Sequence, residues 1–265
     1  MIGRFAPSPT GPLHFGSLVA AVASYLSART QGGRWLLRME DVDRPRCVPG
    51  AAEEILRTLD IFGFEWDGPV LYQSARGEAY EAALAALRGH VYGCGCSRKD
   101  DCNCRITPPA VARAWRFRAE AGGIAWHDRC LGAQIWPVDD FVVKRADGLF
   151  AYQLAVVVDD AAQGVTEVVR GADLLDSTPR QIALQRALGY ATPSYLHLPV
   201  VSNARGEKLS KQTNAPALLL DDAAGQLAEA LRYLGQAPPG RVSLGEAWRW
   251  ARAHWDEGRI PVCPL

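Results

Sequence analysis

The sequence predicts an α/β fold: a parallel sheet with helices on its faces, split by a small cysteine-bearing insertion and followed by a short helical tail. Three observations lead there. Apolar runs alternate with helical patterns over residues 2–87, four cysteines crowd into residues 94–104, and the α/β rhythm resumes at Phe141. Strands alternating with helices bury both faces of a parallel sheet, so the alternation itself selects the class.

Residues 2–6 read as a short strand that runs into the loop Pro7-Ser8-Pro9-Thr10-Gly11-Pro12. Residues 17–29, rich in Ala, Leu and Val, read as a buried helix, and Trp35-Leu36-Leu37-Arg38-Met39 as a second strand. Residues 51–59 form an amphipathic helix, and residues 78–87 another with Ala82, Ala85 and Ala86 on one small face. The pattern breaks over residues 91–139, where the cysteines and Pro108-Pro109 fall, and this stretch reads as an insertion between two halves of the sheet. It resumes with Phe141-Val142-Val143-Lys144 and residues 154–159, which hold the Val156-Val157-Val158 run. A helix follows over 179–188, then a strand over 196–201. The chain thus divides into residues 1–90 and 140–201 as catalytic halves, 91–139 as the insertion, and 202–265 as a polar loop plus helical region.

The 265 residues suffice for one large α/β unit with small insertions. Acidic and basic residues balance at 29 each, so any nucleic-acid partner must meet a local basic patch rather than bulk charge. No run of about twenty apolar residues exists, so no membrane helix is expected. The start Met1-Ile2-Gly3-Arg4-Phe5 lacks the basic and apolar regions of a signal peptide, which predicts a cytoplasmic protein.

Two motifs carry chemistry. Arg4-Phe5-Ala6-Pro7-Ser8-Pro9-Thr10-Gly11, followed by His14-Phe15-Gly16-Ser17, is a strand end, a loop and a helix start. Open α/β sheets bind ligands at strand C-termini, and a helix N-terminus offers N–H groups to phosphate. Gly16 allows close approach of a nucleotide, and His14 can donate to phosphate oxygens. Lys208-Leu209-Ser210-Lys211-Gln212 lies in a loop that contains Gly206, and its two lysines suit a clamp on a triphosphate. Each motif taken singly reads better as a surface turn or a solvated basic loop.

Together, in this order and placement, they resemble the two signature sequences of class I aminoacyl-tRNA synthetases. The opening segment from Arg4 to Gly11, Leu37-Arg38-Met39-Glu40-Asp41-Val42-Asp43 and Val169-Arg170-Gly171-Ala172-Asp173-Leu174-Leu175 are similar to the glutamyl and glutaminyl branch. Closer still, Phe150-Ala151-Tyr152-Gln153-Leu154-Ala155-Val156-Val157-Val158-Asp159-Asp160 and Gln163-Gly164-Val165-Thr166 resemble the shortened glutamyl-queuosine tRNA(Asp) synthetase family, as does the short stretch after Gln212. The resemblance implies a Rossmann-like catalytic domain without an anticodon-binding domain; a monomer is expected, although the sequence does not set the oligomeric state. It implies activation of L-glutamate with ATP and Mg²⁺, and transfer to queuosine in the anticodon of tRNA(Asp). A discrete glutamyl-tRNA synthetase that charges a 3′ end, and a non-catalytic tRNA-binding paralogue, are the competing readings.

Chemically, Arg4 and Arg170 can each grip a carboxylate through parallel N–H bonds, Glu40 can receive an ammonium, and Tyr152 can shape the pocket. The resemblance assigns Arg4, Phe5, Ala6, Pro7, Ser8, Glu40, Tyr152 and Arg170 to glutamate. It assigns His14, Gly16, Ser17 and Lys211 to ATP, with His14, Gly16, Lys208 and Lys211 as the catalytic set.

Cys94, Cys96, Cys102 and Cys104 can surround one tetrahedral Zn²⁺, a closed and therefore structural site. Free thiols or disulfides remain open on spacing alone. The resembled family carries zinc in the matching insertion, commonly with three cysteines and a tyrosine, whose place Cys102 takes here. In the tail, Trp248, Trp250 and Trp255 lie near Arg249, Arg252 and Arg259. They read as an amphipathic helix burying its Trp face, with base stacking as the alternative.

Overall fold

A computed structural model describes residues 1–96, 102–201 and 216–262. Strand β1 (Ile2–Phe5) leads through the Pro-rich loop into helix α1 (Phe15–Arg29), and β2 (Arg34–Met39) returns parallel to β1 with Arg4 opposite Leu36. Helix α1 is buried nearly all round, from Leu18 to Ala28, as its Ala, Leu and Val content demands. The Thr30 hydroxyl closes it by donating to the Leu26 carbonyl at 2.7 Å. Helix α2 (Ala51–Ile61), strand β3 (Leu71–Tyr72) and helix α3 (Gly77–Ala86) complete the first half, with β3 parallel to β2.

Residues 91–139 do not fold as one insertion. Strands β4 (Val91–Cys94) and β5 (Ala114–Phe117) pair antiparallel, while β6 (Gly123–Asp128) and β7 (Gly132–Pro137) form a hairpin that belongs elsewhere. Strand β8 (Phe141–Lys144), read from the sequence as the return of the α/β rhythm, instead pairs antiparallel with β5. The reason is packing. Phe141 stacks on Phe117 at 5.2 Å, and Val143 is fully buried with Tyr80 and Leu154 in a second core.

Helix α4 (Tyr152–Ala162) carries the Val156-Val157-Val158 run. Three β-branched residues disfavour a helix intrinsically, but every residue from Leu154 to Asp160 is buried, and that burial overrides propensity. Strand β9 (Glu167–Gly171), helix α5 (Ser177–Leu188) and strand β10 (Ser194–Leu198) follow, with β10 parallel to β9. Strand β6 joins the other edge of β10 through Asp128 opposite Tyr195. The Thr166 N–H donates to the Ile2 carbonyl at 2.9 Å and stitches β9 to β1. Two sheets result, β3-β2-β1 and β9-β10-β6-β7, adjoining where Thr166 meets Ile2, and every strand pair in them is parallel except β6 with β7.

Helices α6 (Ala223–Tyr233) and α7 (Leu244–His254) cover α1. Ser243 and Glu246 form a reciprocal cap at the start of α7. Trp248 is buried, packs edge-on against Tyr25 and Phe64 at 5.0 and 5.1 Å, and donates its indole N–H to the Phe62 carbonyl at 2.8 Å. Trp248 accordingly serves the core, while Trp250 and Trp255 are partly buried against it. No helix among the described residues is long and apolar enough to cross a membrane.

Candidate active site

The C-terminal ends of β1, β2, β9 and β10 open into one cleft of about 510 Å³. Strand β1 and the loop after it contribute Arg4, Phe5, Ala6, Pro7 and Ser8, and β2 delivers Glu40. The start of α4 adds Tyr152, the end of β9 adds Arg170, and the N-terminus of α1 adds His14, Gly16 and Ser17. A backbone bond from Glu40 N–H to the Pro7 carbonyl at 3.0 Å holds the two loops together. The sequence-selected residues that fall in the described segments outside the cysteine loop thus all line one cavity.

Charge inside the cleft is organised around Asp160. Its Oδ1 accepts from Arg4 Nε at 3.2 Å and from the wholly buried Arg38 at 2.7 Å. Arg38 also donates to Gln163 at 2.8 Å and to Glu40 at 3.4 Å. Burial alone would raise the Asp160 carboxyl, but Arg38 and Arg4 outweigh it and hold it below the usual carboxylate range. Glu40 goes the other way: desolvation lifts it above the ordinary glutamate range despite Arg38 and Arg4. Arg4 uses Nε on Asp160, and its terminal nitrogens have no hydrogen-bond partner among the described residues. They are left for an incoming anion.

Arg170 is more heavily engaged. Its Nε donates to His197 Nε2 at 3.1 Å, one terminal nitrogen to Gln181 at 2.8 Å and Tyr152 at 3.5 Å, and the other to Thr178 at 2.8 Å. His197 in turn meets Asp128 at 2.6 Å through Nδ1. Sequence reading did not select Arg38, Asp128, Asp160, Thr178, Gln181 or His197 as site residues, though Asp160 lies in the segment that carries the family resemblance. A signal existed in three of them: Arg38 between Leu37 and Met39, Asp160 at the end of a valine run, and His197 between Leu196 and Leu198 are polar groups set in apolar context.

At the other end of the cleft, His14 caps α1, its Nδ1 accepting from the Ser17 N–H at 3.3 Å. With Nδ1 accepting, the neutral ring carries its proton on Nε2. A Cβ on Gly16 would lie 3.2 Å from that ring, so any larger residue there would press on the imidazole where it folds over the helix start. Val201 lines the cleft and Ala217 bridges His14, so the residues on either side of the lysine motif both reach this end. Lys208 and Lys211 themselves lie outside the described residues.

The four cysteines of the insertion meet at the end of β4. Cys94 and Cys102 sulfurs lie 3.5 Å apart, Cys96 and Cys104 sulfurs 3.3 Å apart, and all four within 4.8 Å of one another. A tetrahedron with Zn–S of about 2.3 Å has edges of about 3.8 Å, so the donor set fits that ion. The Gly95 N–H and neighbouring thiols pull Cys104 down to about 7, while its bond to Cys104 pushes Cys96 up to about 12. The loop is tied down by Asp140, which accepts from Tyr92 at 2.8 Å and Arg105 at 2.9 Å.

The model of the catalytic domain of class I tRNA synthetases (E and Q) matches residues 1–119 and 109–234. The chain is 60% identical to the glutamyl-Q tRNA(Asp) synthetase of Dechloromonas aromatica (strain RCB), over 98% of this chain and 95% of that protein. It is 56% identical to the protein of the same name from Chromobacterium violaceum, over 99% and 96%. In fold it is similar to glutamate-tRNA synthetase from Elizabethkingia anophelis, with TM-score 0.82 and 24% identity over 100% of this chain and 67% of that one. A parallel sheet opening into a cleft at its strand ends, the matched domain and the full-length relatives agree: the chain belongs to the class I tRNA synthetases of the E and Q type.

Proposed function

We propose that the chain activates glutamate with ATP and esterifies it onto the queuosine base in the anticodon of tRNA(Asp). The observation that carries the amino-acid half is the pair of buried arginines, Arg4 and Arg170, converging on one cleft with the carboxylate of Glu40. A dicarboxylate bearing one ammonium matches that set of charges. The acceptor half is supported by the relatives, which are named for glutamyl-Q and tRNA(Asp) and align over nearly their whole length.

In the first step a glutamate carboxylate oxygen attacks the α-phosphorus of ATP, and pyrophosphate leaves. His14 Nε2–H and the N-terminus of α1 face the phosphates and stabilise charge on them, with Lys208 and Lys211 assigned to the departing pyrophosphate. Bound Mg²⁺ would neutralise the triphosphate. In the second step a hydroxyl of the queuosine cyclopentene diol attacks the activated carbonyl, its proton passes to the adenylate phosphate, and AMP leaves with the bonding pair. Neither step needs a nucleophilic side chain, since positioning and charge stabilisation carry both. Cys94, Cys96, Cys102 and Cys104 would hold Zn²⁺ as a structural ion fixing the loop beside the cleft. The protein works as a monomer in the cytoplasm, where its tRNA is.

The test compares tRNA(Asp) from strains that differ only in queuosine synthesis, with labelled glutamate and ATP. Label that appears only with queuosine and maps to the anticodon loop is the expected result. Equal labelling of both tRNAs, or label at the 3′ end, rejects it in favour of a discrete glutamyl-tRNA synthetase. Glutamate-dependent ATP–pyrophosphate exchange without tRNA separates either enzyme from a tRNA-binding paralogue.

A further inference from the structure

We infer that Asp128 and His197 are positioning residues for Arg170: together they lock one histidine tautomer, and that tautomer sets the angle at which the guanidinium enters the cleft. The inference deepens the glutamate-activating reading above and rests on it. Three neighbouring strands supply one residue each. In the parallel register of β9 and β10, His197 stands opposite Arg170, and β6 ends beside them at Asp128. The result is a row across the sheet from carboxylate to imidazole to guanidinium, with Asp128 and His197 fully buried.

Hydrogen-bond bookkeeping fixes the protons. His197 Nε2 has two neighbours, Arg170 Nε and Thr178 Oγ1, each at 3.1 Å; an arginine side chain only donates, so Nε2 accepts, and the Thr178 hydroxyl, which accepts from Arg170, is free to turn its own hydrogen toward it. The ring proton therefore sits on Nδ1 and is donated to Asp128 Oδ2 at 2.6 Å. Asp128 is itself anchored, because its Oδ1 accepts from the Cys130 and Leu131 N–H groups at 3.0 Å and from the His197 N–H at 3.3 Å. Burial and the Arg170 charge hold the imidazole below its usual range and thus neutral, as acceptance from Arg170 requires. A purely structural role is the rival account, since β6 meets β10 at one register pair only. An apolar pair would serve that end at lower desolvation cost.

Asp128→Asn separates the two. Three backbone donors oblige the amide oxygen to stay at the Oδ1 position, so the NH₂ group faces His197 Nδ1. The imidazole then accommodates it by moving its proton to Nε2, which places a donor against the donating Arg170 Nε. The variant should raise the glutamate KM in ATP–pyrophosphate exchange by about ten- to a hundredfold while leaving the ATP KM within about twofold. Nitrogen-15 NMR of the histidine side chains should show Nδ1 protonated at His197 in the wild type and Nε2 protonated in the variant, with His197→Gln identifying the resonance among the five histidines. A folded Asp128→Asn protein with unchanged glutamate KM, or a wild-type His197 protonated on Nε2, overturns the inference. If Asp128→Asn does not fold, His197→Gln, which keeps an acceptor for Arg170, should outperform His197→Leu, and equal glutamate KM values for the two overturn it. The NMR arm needs no turnover. A wild type without glutamate-dependent exchange would therefore sink the activity reading while the tautomer result still decides the dyad.

Discussion

Asp160 holds together the charges beneath the cleft. It is the shared acceptor of two buried guanidiniums, Arg4 at 4% and Arg38 at 0% exposure. Asp160→Asn keeps an oxygen where Oδ1 sits, so both bonds survive as neutral-acceptor bonds. Each weakens by about 1 kcal/mol when the acceptor loses its charge, which gives about 2 kcal/mol in all. Asp160→Ala removes the acceptor and leaves Arg38 buried beside Glu40 and Gln163 alone, a broken buried pair that costs about 3–5 kcal/mol. For a chain of this length about 1 kcal/mol moves the melting temperature by about 2 °C, so the expected drops are about 4 °C for Asn and about 6–10 °C for Ala. Urea unfolding measures the energies, and glutamate-dependent exchange at permissive temperature reports whether Arg4 has lost its tilt, with the glutamate KM rising and the ATP KM holding. An alanine variant melting within about 2 °C of the wild type, or an asparagine variant worse than alanine, would refute the account of Asp160 as the charge-bearing acceptor.

Two further outcomes follow from the same geometry. Purified protein should carry about one Zn²⁺ per chain by elemental analysis, and Cys102→Ser should weaken its retention; unchanged zinc in that variant removes Cys102 from the donor set. Glu40 must be ionised to receive an ammonium, and burial raises its carboxyl above the ordinary glutamate range. Proton loss thus promotes binding, so kcat/KM for glutamate should fall as pH drops through that raised value. Glu40→Gln should lower activity and flatten this acid limb, and a limb that persists unchanged assigns it to another group.

The parallel core was legible because its strands are short apolar runs divided by helical patterns, and β1, α1 and β2 need nothing beyond that rhythm. Arg4, Glu40, Tyr152 and Arg170 were singled out by the family resemblance and their joint fit to a dicarboxylate, since each alone reads as an ordinary structural residue, and the structure gathers all four at one cleft. What escaped notice is non-local. Whether Val156-Val157-Val158 lies in a strand or a helix depends on what surrounds it, and only burial on every side makes it helical. The hairpin of β6 and β7 looks like part of the cysteine insertion until Asp128 is seen beside Tyr195, a pairing that spans 67 residues of chain. Asp128, Asp160 and His197 act on arginines distant in sequence, and no local pattern announces such partnerships.

The stacked rings behind β1 tie the cleft to the far end of the chain. Phe5, next to Arg4, lies on Trp35 at 6.1 Å; Trp35 lies on Phe64 at 5.5 Å; and Phe64 meets Trp248 of α7. Aromatic contacts of this kind are worth about 0.5–1.5 kcal/mol each beyond burial, and a close-packed row relaxes little when one member leaves. Undocking α7 therefore strips the support from the strand that carries Arg4. Amide hydrogens of β1 and α7 then exchange through the same sub-global opening, as members of one cooperative unit. Hydrogen exchange should therefore find matching protection in α7, which does not line the cleft, and in the strand that carries Arg4.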